Sequence, residues 1–273
     1  MEDLEKKVLK ELENKNLSVG ELNAIIDQIK NPDSKVNLYK HYWGGHHTKI
    51  ALGSDTHIGS NYDNVGYIED AFKRFKKEGV EAVYLAGDIT EGYNMRAGHS
   101  FECYLHGADA QIKGVVEKMP DINIPIYFIT GDHDYSHFSR QGIDVGKHIA
   151  EQRKDMHYLG KSIADIMITP KNKLRLIHPK KGTAYALSYH TQKMIDAFSG
   201  GDKPNILAVG HYHKVEYLFY RNVHAFQTGC FQNQTSWMKQ MNLAAMQGAW
   251  IVDIYSKRNG TIDKLEMKML PYY

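Results

Sequence analysis

The chain has 273 residues, with 34 Lys and Arg against 32 Asp and Glu and a formal net charge of +2. That balance carries no overall basic signature for nucleic acid, so any such contact must come from a local patch. The length fits one large α/β domain with a small appendage and a substantial buried core.

Residues 1–30 read as two helices. Leu4, Val8 and Leu12 keep one face of the first. Ser18 stands three residues before Glu21 as a capping box, and Leu22, Ile25, Ile26 and Ile29 follow at helical spacing until Asn31-Pro32. The pair could be a helix-turn-helix fragment. A hairpin packed on the main domain or on a partner is favoured, because the second helix offers only Lys30 to a phosphate. Residues 31–48 read as an aromatic linker with Tyr39, Tyr42 and Trp43. The expected division is a helical extension and linker over 1–45 and a main domain over 46–273.

A strand over 49–54 releases Asp55-Thr56-His57. Ile68, Ala71, Phe72 and Phe75 mark a helix that Gly79 ends, and a strand over 82–86 releases Gly87-Asp88, completing a βαβ unit. The irregular segment 89–100 should overhang that strand end, with Arg96 and His99 as candidates for phosphate contact. Phe101, Tyr104, Leu105, Ala108, Ile112, Val115, Val116 and Met119 predict one long core-facing helix, ended by Pro120. A strand over 126–130 stops at Gly131 and releases Asp132, His133 and Asp134; residues 136–140 continue across the mouth, and a helix follows from 142 to about 153. Strands over 163–169 and 173–177 lead into His178 and the basic loop Pro179-Lys180-Lys181-Gly182, where Lys180 and Lys181 are candidates for substrate phosphate.

A helix over 183–198 carries His190, read as structural or solvent-facing. A strand over 206–209 releases Gly210-His211-Tyr212-His213. A hairpin then joins strands 215–220 and 223–228 through Arg221-Asn222. The polar-aromatic loop 229–248, with Gln232, Asn233, Gln234, Thr235, Trp237 and Met238, is placed to floor or rim a groove. Strands over 249–255 and 261–267 flank a turn at Lys257-Arg258-Asn259-Gly260. This order predicts two packed mixed sheets with helices outside.

The two cysteines, Cys103 and Cys230, lack a C-x-x-C partner and fit free thiols in a reducing compartment. No apolar run approaches the ~18 residues of a membrane span. The acidic start Met1-Glu2-Asp3-Leu4-Glu5 has no apolar signal region, so the expected location is cytoplasmic.

Any one of these Gly-Asp or His-x-His segments alone would read as a turn or a surface pair. Together, five strands end in Asp or His, and open α/β sheets bind ligands at that carboxyl edge. The residues released supply enough nitrogen and oxygen donors for two divalent metals.

The ordered set Asp55-x-His57, Gly87-Asp88, Gly131-Asp132-His133-Asp134, His178 and Gly210-His211-x-His213 resembles the calcineurin-like metallophosphoesterases. It departs from that pattern at Asp132, where the family usually has Asn. The resemblance implies a layered αββα sandwich of two mixed β-sheets flanked by helices. It also implies one metal shell of Asp55, His57, Asp88 and His213 and a second of Asp88, Asp132, His178 and His211. Mn²⁺ is the first choice of metal, with Fe²⁺, Zn²⁺ or Ni²⁺ as alternatives. His133 then resembles the leaving-group acid, with Asp134 orienting its imidazole. The implied reaction is hydrolysis of a phosphate ester through in-line attack by a metal-bridging hydroxide. A phosphodiesterase or nuclease acting on DNA or RNA is the favoured form. A protein Ser/Thr-type or small-molecule phosphatase, or a non-catalytic scaffold subunit of this fold, are the alternatives. Expected partners are the phosphate-ester substrate, nucleic acid among them, and a protein docked through the amino-terminal helices.

Overall fold

Short apolar runs rich in β-branched residues form the strands, and amphipathic stretches between them form the helices. In chain order the first half gives β1 (Asn37–Lys40), β2 (His47–Gly53), α1 (Val65–Glu78), β3 (Ala82–Ala86), α2 (Ala108–Lys118), β4 (Ile126–Thr130), α3 (Asp132–Gln141) and α4 (Val145–Gln152). The second half gives β5 (Met156–Lys161), β6 (Ile163–Thr169), β7 (Asn172–Ile177), α5 (Tyr189–Ala197), β8 (Ile206–Val209), β9 (Val215–Tyr220), β10 (Val223–Thr228), α6 (Ser236–Gln240), β11 (Gly248–Ser256) and β12 (Ile262–Pro271). This computed structural model describes residues 36–41, 45–180, 182 and 184–273. The two helices expected over 1–30, and Lys181, lie outside the described residues.

The strands make two mixed six-stranded sheets, ordered β1-β6-β7-β8-β10-β9 and β12-β11-β2-β3-β4-β5. Alternation along each strand assigns its side chains to two layers. In β2, Ile50 and Leu52 face the other sheet and meet Ile166, Leu174, Leu176 and Phe226. Ala51, between them, faces outward with Val83, Leu85 and Phe128 onto Ile68, Phe72 and Phe75 of α1, Val115 of α2 and Ile149 of α4. On the far side, Ile195 of α5 covers Leu207, Val209, Val223 and Ala225. The result is a layered αββα sandwich. Because β2, β3 and β4 bury both faces, they read in sequence as nearly continuous apolar runs.

Strand direction positions the site. β2, β3 and β4 are mutually parallel, and so are β7 and β8, so these strands run into their loops at carboxyl ends. Asp55 N–H donates to the Gly87 carbonyl at 2.9 Å, and Gly210 N–H to the Ile177 carbonyl at 3.1 Å, tying neighbouring strand ends together.

Several elements differ from the sequence expectation. Residues 37–40, read as linker, form a strand paired in parallel with β6. The long helix expected from Phe101 begins only at Ala108, because Gly107 (φ 84, ψ 164) breaks it. Phe101 is 87% exposed rather than core-facing. Residues 136–140, read as continuing across the mouth, belong to a helix over Asp132–Gln141, and left-handed Gly142 separates α3 from α4. The helix expected over 183–198 is confined to Tyr189–Ala197. Loop 229–248 contains the short α6, capped by the Thr235 side chain.

Candidate metal centre

Each candidate ligand stands just past a strand end. Five of the seven, Asp55, His57, Asp88, His211 and His213, have positive φ, between 47° and 77°. That conformation turns the backbone sharply so that the side chain points back over the sheet edge. The motif glycines leave the room this needs. A Cβ on Gly87 would come within 2.5 Å of His178 Nδ1, and one on Gly131 would collide with the Asp88 carboxylate.

Among the described residues four groups of donor atoms come together; two of them, His57–Asp88–His133 and Glu91–His99–His133, meet at His133, and the other two hold the candidate ligands. Asp55, His57 and His213 each offer one donor atom within 4.8 Å of the others, and so do Asp88, Asp132, His178 and His211. His213 Nε2 lies 3.2 Å from Asp55 Oδ1, and His57 Nε2 lies 3.1 Å from His213 Nε2. His178 Nε2 lies 3.1 Å from Asp88 Oδ2 and 3.0 Å from Asp132 Oδ1, while His211 Nδ1 is 3.3 Å from Asp132 Oδ1. Asp88 Oδ2 is also 3.9 Å from His57 Nε2, so this carboxylate stands between the groups. Asp55, His57, Asp88 and His178 are buried, whereas the side chains of Asp132 and His211 are 33% and 20% exposed. The cluster therefore opens to solvent on the Asp132–His211 side.

The hydrogen bonds test whether a cation fits. His178 Nδ1 lies 2.7 Å from the Ala86 carbonyl, which can only accept, so Nδ1 carries the proton. Its neutral ring would then aim a lone pair at two carboxylate oxygens. His57 Nδ1 donates to Glu91 Oε2 at 2.8 Å, which aims the other nitrogen at the His213 ring. Acceptors facing acceptors in a buried site need positive charge between them. The ionisation behaviour agrees. Burial opposes a charge on His178, yet the Asp88 charge and hydrogen bonds to Asp132 and Asp88 outweigh it and hold its pKa well above the usual value. Burial likewise opposes ionisation of Asp132, but hydrogen bonds from His178 and His211 hold that carboxyl well below its usual range. A mixed carboxylate–imidazole set demanding positive charge fits divalent Mn, Fe or Zn.

Glu91 is the residue that sequence reasoning passes over. It is buried, takes His57 Nδ1 and Gln232 Nε2 (2.9 Å) on Oε2, and takes His99 Nε2 (3.1 Å) on Oε1. Burial would raise its pKa, but these histidine bonds hold it well below the usual carboxylate range. Its backbone carbonyl accepts from His133 Nδ1. The signal is an acid three residues past Asp88 on a loop already expected to overhang the site.

This corrects the expected role of Asp134. Its carboxylate accepts from the N–H groups of Ile89, Thr90 and Gly131 and from Thr90 Oγ1, bracing two strand-end loops, while Glu91 holds the His133 ring. His99, expected at the substrate phosphate, is buried at 1% exposure behind His57 and bound to Glu91. Arg96 is paired with Glu102 and lies 4.5 Å over the Trp237 ring. Lys180 is exposed, its Nζ 5.8 Å from the Tyr135 ring centroid. His190 stacks on Tyr212 at 5.1 Å.

Asp132 faces inward, so its charge bears on the second group. Asp132→Asn is expected to weaken the second of two Mn²⁺ binding steps about tenfold, the scale on which even outer partners of metal ligands act. Tighter second binding in calorimetric titration would show that the carboxylate is no ligand.

The family model for the calcineurin-like phosphoesterase superfamily domain matches residues 48–245. The chain is 24% identical over 253 residues to the DNA polymerase II small subunit of Methanothermobacter thermautotrophicus, covering 73% of this chain and 50% of that one. It is 23% identical over 237 residues to the same-named subunit of Halobacterium salinarum, covering 72% and 46%. The chain thus spans about half the length of the curated relatives it matches. A solved structure described as a novel archaeal phosphodiesterase superposes with a TM-score of 0.47 at 15% identity, covering 82% of this chain and all of that one.

Proposed function

Since the chain belongs to the calcineurin-like phosphoesterase superfamily, we propose that it is a dinuclear-metal-dependent phosphodiesterase whose substrate is DNA or RNA. The observation that carries this reading is the pair of donor groups flanking Asp88, built from five strand ends and demanding positive charge. Asp55, His57, Asp88 and His213 would hold one ion, and Asp88, Asp132, His178 and His211 the other. Bound divalent cations supply Lewis acidity there, acidifying water and neutralising phosphoryl charge.

The chain's own residues do the rest. The Ala86 carbonyl and the Glu91 carboxylate fix the tautomers of His178 and His57, so that each presents Nε2 to the centre. The Glu91 carbonyl accepts the Nδ1–H of His133. The proton passed to the departing ester oxygen would therefore be a second one, carried on Nε2 of the imidazolium, and its loss would leave the neutral Nδ1–H ring. Asp134 keeps the loops after β3 and β4 in register, and with them Asp88 and His133.

The expected result is Mn²⁺-dependent hydrolysis of a nitrophenyl phosphodiester and of an oligonucleotide, abolished by chelation and restored by Mn²⁺. The panel should include single- and double-stranded DNA, RNA, a cyclic dinucleotide and a phosphopeptide. Turnover of the phosphopeptide alone would replace this reading with a protein phosphatase. A second reading is favoured by the polymerase subunits among the curated relatives: a subunit of a DNA polymerase assembly, docked through the helices predicted over 1–30. Two metals bound with no hydrolysis of any ester would select it.

A further inference from the structure

The open side of the metal centre carries a rim of aromatic and basic side chains that the hydrolytic chemistry does not use. Tyr135 lies three residues after Asp132 on α3, and Phe138 three after that, so the two rings share a helix face with the candidate ligand. Their centroids are 5.7 Å apart at 26°, and Phe138 is 50% exposed. The buried residues of the same helix, Asp134, Ser136 and His137, already anchor it to the core. Phe138 is therefore not needed outside for packing.

Two lysines converge on the Tyr135 ring of this pair. Lys161 Nζ sits 3.2 Å from the Tyr135 ring centroid, and Lys180 Nζ 5.8 Å from the same ring. Both are tethered to the centre. Ser162, next to Lys161, donates to the Thr130 carbonyl and accepts from His178 N–H, and Lys180 follows His178 by two residues. Past β7, the Ala184 carbonyl accepts from Lys214, the neighbour of His213. Beyond it Tyr185 and Tyr189 are exposed, with Lys193 5.4 Å over the Tyr189 ring. In a chain whose net charge is only +2, this is a local concentration of cations interleaved with exposed rings.

We propose that this rim binds single-stranded nucleic acid, with an unpaired base stacked on the outer face of Phe138 and its flanking phosphates at Lys161 and Lys180. The proposal rests on the phosphodiesterase reading and names the strandedness of its substrate. Aromatic platforms beside a basic track hold single strands because every base has a face to stack, whereas bases in a duplex are already stacked on each other. The opening beside Asp132 and His211 places the rim where a strand would pass into the centre.

The test is fluorescence anisotropy of a labelled oligodeoxynucleotide on the full chain in chelator, where no cleavage occurs. The single strand is expected to bind at least about tenfold more tightly than the duplex of the same sequence. Phe138→Ala should weaken the single strand about tenfold and leave the salt slope unchanged, and Phe138→Tyr should restore affinity. Lys161→Ala with Lys180→Ala should instead flatten the salt slope, by about 0.7 for each phosphate no longer neutralised. Unchanged thermal unfolding in each variant excludes a folding defect. Equal affinity for duplex, or full affinity in Phe138→Ala, would overturn the proposal and leave the rim to a protein partner. Hydrolysis is not read here, so an inactive chain that binds single strands would defeat the proposed reaction and not the platform.

Discussion

Asp88→Ala is expected to empty both metal sites at once and to lower phosphodiester turnover by about a thousandfold or more. The scale follows from losing several kcal/mol of charge stabilisation in the transition state. Asp88 Oδ2 is 3.1 Å from His178 Nε2 and 3.9 Å from His57 Nε2, so among the described residues this carboxylate faces both groups. Its Oδ1 also accepts the His133 N–H at 2.9 Å, which fixes the start of α3. Elemental analysis of the purified variant reads the first effect and a nitrophenyl diester assay the second. Loss of one metal with the other retained would mean that the carboxylate serves one group only.

His133→Asn should separate substrates rather than metals. Metal content is expected to stay at the wild-type level, because the backbone N–H that reaches Asp88 is unaltered. Turnover of an oligonucleotide should fall by about 10²–10⁴, the contribution of a positioned acid to a poor leaving group. A nitrophenoxide departs without a proton, so the nitrophenyl ester should lose much less. The Nδ1 hydrogen bond to the Glu91 carbonyl fixes which nitrogen can play this part, since a carbonyl cannot donate. Equal losses on the two substrates would remove His133 from the role of acid.

The sandwich and the gathering of the ligand-type residues are legible because both are written locally. At β3, β4 and β8, short continuous apolar runs stopped by Gly directly before an Asp or His fix strand, end and outlet together. What is illegible depends on tertiary partners. The polar strand Asn37–Lys40 exists because β6 offers an edge to pair with. The stripe from Phe101 keeps helical spacing across Gly107, so only the backbone shows that the helix starts later. His99 reads as a loop residue free to meet phosphate, and its burial follows from Glu91, an acid whose importance lies in what surrounds it. Asp134 reads through its neighbour in sequence, although its hydrogen bonds run to Ile89 and Thr90 on another loop.

The left-handed backbone at Asp55, His57, Asp88, His211 and His213 has an energetic consequence. Holding an ordinary residue there costs about 1–3 kcal/mol, so this one edge of the sandwich stores a strain that glycine would relieve at each position. Glycine would relieve that strain, yet at Asp55 and Asp88 it would also strip the carboxylates that accept the His211 and His133 N–H groups, and at His57 the ring that Glu91 holds. Asp and His at all five places thus keep this edge under strain while their side chains brace its loops and furnish its donor groups, a trade that no single glycine could make.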